Sequence, residues 1–287
     1  MNPEETRKQT IIALFSDDYL FERLVLKGGN AIHIAHKLAL RSSLDLDFSL
    51  AGDFEDLEEA QRHLFSTLKK HFSAIGFVVF DERFVPKPKI QGHDDRPWWG
   101  GYELSFKLIS REKHDQLRDR LEKMRMDALP VGPKQERTFS VDLSKNEYTA
   151  SKITIDFGEY SIPVYTLEMI AAEKLRAICQ QMPEYGIKGA GTRRARDFYD
   201  IHLIVTERSI DLRTAENLAL IRNIFEAKRV PLSFLKTISD WREFHRGDWP
   251  AIINAVGGTV HGYDFYFDFV LGLVEQLESL WIEDTPR

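Results

Sequence analysis

The chain is 287 residues long, 43% hydrophobic and 29% charged, the balance of a globular protein with room for two lobes. Its net charge of −6 excludes a protein that coats nucleic acid non-specifically, which needs a broad basic surface. The single cysteine, Cys179, excludes an intramolecular disulfide and a zinc knuckle, and no apolar run reaches membrane-spanning length.

The start, MNPEETRKQT, does not read as a signal peptide, so a cytoplasmic protein with Cys179 in its core is expected. Positive charge is clustered at Arg83, Lys87 and Lys89, and again at Lys188, Arg193, Arg194 and Arg196, where local patches can meet a polyanion. Residues 6–16 carry apolar positions at helical spacing, and Asp17-Asp18 can cap a second short helix. Leu24-Val25-Leu26 reads as a buried strand ending at Gly28-Gly29, with a helix over 31–40. From Leu44 to Leu50 apolar and acidic residues alternate, which puts Asp45 and Asp47 on one strand face and Leu44, Leu46 and Phe48 on the other.

An amphipathic helix over 54–72 and a strand over 76–80 follow, then a loop over 85–101 and an alternating strand over 102–109. The charged run 111–127 has a thin stripe of Leu117, Leu121 and Met124 and reads as a solvated helix between two strands. Alternation returns at 138–144, with Asp142 opposite Phe139, Val141 and Leu143, and a short strand at 153–157 closes the first half. Thr166 caps a helix with Leu167, Ile170, Ala171, Leu175 and Ile178 inward. Helices are expected from Arg193 to Ile204, then at 212–227, 231–240, 248–256 and 264–282.

A glycine pair opening a helix lets backbone N–H groups approach an anion, and the helix dipole favours negative charge there. The loop is neither a Walker motif nor a dinucleotide fingerprint. Two aspartates about 7 Å apart on one strand face repel and resist desolvation, and a divalent cation relieves both costs. Oxygen-only ligands suit Mg²⁺ or Mn²⁺, and a third carboxylate, Asp142 or Asp156, would complete a two-metal site. Other residues read as structural. His33 and His36 lack a metal motif, Trp98-Trp99 beside Arg96 is a packing anchor, and Glu173 pairs with Arg176.

LVLKGGNAIHIAHKLALRSSLDLDFSL resembles the first motif of the AbiEii/AbiGii nucleotidyltransferase toxin family, the toxin half of type IV abortive-infection systems, in the DNA polymerase β-like superfamily. TLEMIAAEKLRAIC and RRARDFYDIHLI are similar to two later motifs in the same order, so the likeness spans residues 24–204. The resemblance implies that Gly28 and Gly29 contact phosphate, that Asp45 and Asp47 bind metal, and that Lys174 contacts the triphosphate. Asp197 and Asp200 match the acids of the last motif, and VDLSKNE favours Asp142 as third carboxylate. It further implies Lys27, Asn30, Ser43, Arg193 and Arg196 as substrate contacts. Asn30 stands where many members have Ser or Thr, and Arg196 where a lysine is common.

The expected architecture is α+β: a mixed, mostly antiparallel nucleotidyltransferase sheet flanked by helices over residues 1–160, and a helical bundle over 161–287 that completes an active cleft. The implied reaction is Mg²⁺-dependent nucleotidyl transfer from an NTP to an acceptor. The resemblance points to RNA such as a tRNA 3′ end as acceptor and to an antitoxin as partner. Transfer to a protein or small molecule, or a non-catalytic interaction module on the same fold, are the alternatives.

Overall fold

The computed structural model describes residues 1–38, 46–88, 97–118, 120–132, 135–186, 191–253, 256 and 260–282. The chain forms two compact units, Met1–Ala35 with Ser42–Val164, and His36–Arg41 with Tyr165–Arg287.

The first unit is built on seven strands among the described residues: β1 (Leu24–Lys27), β2 (Leu46–Leu50), β3 (Phe77–Lys87), β4 (Gly101–Ser110), β5 (Phe139–Ser144), β6 (Ile153–Phe157) and β7 (Tyr160–Val164). They form one sheet in the order β3-β4-β5-β2-β1-β7-β6. β2 runs antiparallel to β1 but parallel to β5, and β1 runs parallel to β7. The remaining pairs are antiparallel, so the sheet is mixed and mostly antiparallel, as the alternating segments predict. Leu24, Leu26, Leu46, Phe48, Val141 and Leu143 are excluded from solvent. Helices Pro3–Phe15 and Leu57–Ala74 pack together, with Ile11, Leu14, Leu64, Leu68 and Phe72 buried.

Several boundaries differ from the sequence reading, each for a local reason. The helix after the glycines begins at Gly28 and ends at Ala35, passing into a π turn at Ala31. β3 continues to Lys87, where proline and lysine had suggested loop, because residues 83–87 pair with 101–105 beyond a bulge after Phe80. The charged run is two helices, Arg111–Gln116 and Leu121–Asp127. Leu117 and Met124 pack against Phe80, Ile109 and Ala128, while Leu121 is exposed. β7 gave no separate signal in the sequence, because its outer residues, Tyr160 and Ser161, are exposed.

The second unit is helical. Its longer helices are Leu167–Cys179, Ala195–Glu207, Ala215–Ala227 and Tyr263–Glu275. Thr166 Oγ1 accepts from the Met169 N–H at 3.2 Å, the expected cap. The segment Leu232–Trp241 is a 3-10 helix, and the expected 264–282 helix is divided into Tyr263–Glu275 and Ser279–Ile282. Phe198 packs against Phe267 at 4.8 Å between ring centroids, and Cys179 is fully buried. Among the described residues, no helix is long and apolar enough to cross a membrane.

Phe48 is fully excluded from solvent in a central strand, packed edge-on against Phe15 at 5.7 Å. Phe48→Ala should therefore destabilise the protein by about 3–5 kcal/mol, read from urea unfolding followed by circular dichroism.

Candidate active site

Register brings charged side chains into one row across four strands. Lys27 of β1 pairs with Asp47 of β2, Asp47 with Asp142 of β5, and Asp142 with Glu103 of β4. Directly opposed residues share a sheet face with their strands about 4.8 Å apart, so the two aspartates emerge side by side. Both are half-buried, while Leu46, Phe48, Val141 and Leu143 anchor their strands from the other face.

At the end of β1 the chain turns through Gly28 at φ +67°. A Cβ on Gly28 would lie 2.6 Å from Asp47 Oδ2, so the turn and the carboxylate can pack together only because residue 28 has no side chain. Gly29 follows, half-buried, in the first helical turn. Asn30 is fully buried. Lys27 is also buried, its Nζ 3.6 Å from Glu147 Oε1. Glu147 is held there by its own N–H, which donates to the Leu50 carbonyl at 2.8 Å.

Asp142 receives the Lys87 ammonium, which donates to Oδ1 and Oδ2 at 2.8 Å each and lies 3.5 Å from Glu103 Oε2. Partial burial works against the charge of Lys87, but the bonds to Asp142 and the charge of Glu103 outweigh it and raise its pKa. Asp156 lies on exposed β6, opposite Ser161 and outside this row. Asp45 and Ser43 lie outside the described residues, as do Lys89, Arg96 and Lys188.

These residues fit a divalent cation. The donors are carboxylate oxygens, the glycine turn gives Asp47 a cradle that a Cβ would fill, and an ammonium already stands as a cation on Asp142. Among the described residues, no group of three or more His, Cys, Asp or Glu side chains is disposed to hold a metal ion. His36 instead shares a hydrogen bond with the Tyr165 carbonyl at 2.7 Å, and His33 lies 3.7 Å from Glu4.

The helical unit carries a second cluster. Lys174 Nζ donates to Asp197 Oδ1 and Asp200 Oδ2, each at 2.7 Å. The two aspartates are one turn apart on the helix Ala195–Glu207 and both are buried. Arg194 approaches Asp197 at 3.7 Å and Arg196 approaches Asp200 at 3.6 Å. Burial disfavours the Asp197 carboxylate, but Lys174 and Arg194 overcome this and hold its pKa below the usual value. Burial likewise opposes the Lys174 ammonium, and its two aspartates raise its pKa despite it. Arg193 is exposed, its guanidinium laid against Gly247 where a side chain would collide with it.

Two residues that sequence reasoning missed fix the start of this helix. The Arg194 N–H donates to His245 Nδ1 at 3.1 Å, and the Ala195 N–H donates to Asp248 Oδ1 at 3.2 Å. They satisfy helix donors that have no partner within the helix. No local motif announces them, since they lie about fifty residues downstream. Lys87 and Glu103 were missed as neighbours of Asp142 for a related reason, because register between distant strands is not written in either strand.

His245 is fully buried and its pKa is driven down to about 4 by desolvation, against an ordinary 6.5. Between these values the unfolded chain binds a proton that the folded chain refuses, so stability should fall as pH drops from 6.5 to 4. The loss should reach about 3 kcal/mol, seen as a shift in urea midpoint. His245→Asn, whose amide oxygen can accept the Arg194 N–H, should remove most of that slope.

A crystal structure of a putative nucleotidyltransferase from H. pylori is similar at 14% identity, covering 99% of this chain and 97% of that one, with a TM-score of 0.45. An antigenic nucleotidyltransferase-like protein from Paracoccidioides brasiliensis is similar at 15% identity, covering 80% and 93%, with a TM-score of 0.36. No curated protein sequence matches the chain. The family model described as nucleotidyl transferase AbiEii toxin, type IV TA system, matches residues 11–268, a span that holds the whole row from Lys27 to Glu147 and the cluster from Lys174 to Asp248. The chain therefore belongs to the AbiEii family of nucleotidyl transferase toxins.

Proposed function

We propose that the protein transfers a nucleoside monophosphate from an NTP to an acceptor, releasing pyrophosphate, as the toxin of a type IV toxin–antitoxin pair. The observation that carries this reading is the opposition of Asp47 and Asp142 beside the Gly28 turn. Asp47 and Asp142, with Asp45 from the sequence, would hold Mg²⁺ or Mn²⁺, which when bound neutralises phosphate charge and favours ionisation of an attacking hydroxyl.

The chain's own residues supply the rest. Gly28 and Gly29 leave backbone N–H groups open to phosphate, and Lys27 with Glu147 braces the strand from which the turn departs. Ser43 would add a hydroxyl donor, and the resemblance makes Asn30 a further substrate contact. Within the helical unit, the resemblance assigns Lys174, Arg193 and Arg196 to substrate binding, and Asp197 and Asp200 fix the Lys174 ammonium in position. In the step itself an acceptor hydroxyl oxygen bonds to the α-phosphorus as the bond to pyrophosphate breaks, and the hydroxyl proton passes to water. Catalysis is then chiefly positioning and charge neutralisation. The acceptor proposed from the sequence resemblance is RNA, such as a tRNA 3′ end, and membership of a type IV toxin family supports an antitoxin protein as counterpart.

Incubation with α-labelled NTPs and separate RNA and protein pools should place label in RNA. Asp47→Asn and Asp142→Asn should each lower incorporation by about 10²–10³-fold. Label confined to protein would reassign the acceptor. Absence of label from every pool, with toxicity unchanged in Asp47→Asn, would reject the enzymatic reading.

A further inference from the structure

Lys87 is not required by the scheme above, yet it spans both oxygens of Asp142. Its ammonium is equidistant from the two carboxylate oxygens, 2.8 Å from each, the arrangement in which one cation takes both inward lone pairs. The side chain reaches Asp142 by crossing β4. Lys87 is paired with Gly101, and Gly101 with Ser144, so the position between β3 and β5 in that row has no side chain in the way. Gly101 is itself required, because a Cβ there would overlap the Leu143 carbonyl.

Glu103 lies on the same route, its Oε2 3.5 Å from Lys87 Nζ. All three side chains keep appreciable contact with solvent, 49% for Lys87, 36% for Glu103 and 31% for Asp142. The pair is therefore exchangeable rather than locked in a dry core, where separating it would leave an uncompensated charge. An ammonium and a divalent cation compete for the inward lone pairs of the same two oxygens, and they repel one another.

We propose that Lys87 is a built-in competitor for metal: it holds Asp142 in the metal-free protein and moves to Glu103 when a divalent cation takes that carboxylate. This rests on Asp142 being a metal ligand. The consequence is that a bare divalent cation loads weakly. A cation arriving with a triphosphate loads well, because the added negative charge offsets the repulsion from the displaced ammonium.

The test is Mn²⁺ binding without nucleotide, read from the free-ion electron paramagnetic resonance signal at low ionic strength, on wild-type protein, Lys87→Met, Asp142→Asn, the double variant and Arg83→Met. Arg83 is an exposed cation elsewhere on β3 and controls for a general change in charge. Lys87→Met should tighten Mn²⁺ binding about tenfold, Arg83→Met should change it less than about twofold, and the gain from Lys87→Met should vanish when Asp142 is Asn. Equal tightening by Arg83→Met, or none by Lys87→Met while Asp142→Asn still weakens binding, would overturn the role of Lys87 and leave the metal site standing. If Asp142→Asn leaves Mn²⁺ binding unchanged, the assignment of Asp142 fails and the proposal with it.

Discussion

Asp47 and Asp142 face one another across parallel strands, and like charges directly opposed on a sheet destabilise it. The neighbouring elements answer that constraint. β1 brings Lys27 opposite Asp47 in register, and β3 brings the Lys87 ammonium onto Asp142. The mixed topology makes this possible. β2 lies between an antiparallel partner and a parallel one, and the strand of the first aspartate therefore touches both the strand of the second and the strand that ends in the glycine turn.

Geometry on this face is protected by what lies on the other. A slip of one residue in β2 would turn Asp47 into the core and bring Leu46 and Phe48, both fully buried, out to solvent. Burial of those side chains thus fixes where the carboxylate points. Gly28 adds a second restraint, because the close approach of its Cα to Asp47 Oδ2 fails for any larger residue. The helical unit meets the same difficulty in drier surroundings, where Lys174 bridges two buried aspartates, Arg194 stands at the second oxygen of Asp197, and Arg196 approaches the Asp200 oxygen that Lys174 holds. Such a buried network contributes little net stability but makes removal of any single charge costly.

Much of this was legible in sequence because it depends on short periods. Alternation at 44–50 and 138–144 marked both strands and the face of Asp47 and, separately, the direction of Asp142. The Thr166 cap and the apolar stripe behind it marked the helix of Lys174, and the spacing of Asp197 and Asp200 put them on one side of theirs. What stayed hidden depends on pairing between distant segments. Lys27 meets Glu147 across 120 positions of sequence, and nothing local to either predicts it. β3 was read as too short because Pro86 and Lys87 carry loop signals, which pairing with β4 overrides. His245 and Asp248 look ordinary until the helix they cap is known.

The charges that escaped the sequence reading have a chemical reason to be where they are. A site that must accept a divalent cation together with a polyanion passes through states that differ by several units of charge, and bare carboxylates would be unfavourable before either arrives. Internal cations solve this if they can yield. Lys27 is buried against Glu147 and cannot move far. Lys87 is half-exposed at the end of a strand, with a second carboxylate within reach, and can give way. The same row thus combines a permanent cation with a replaceable one, and the difference between them follows from burial alone.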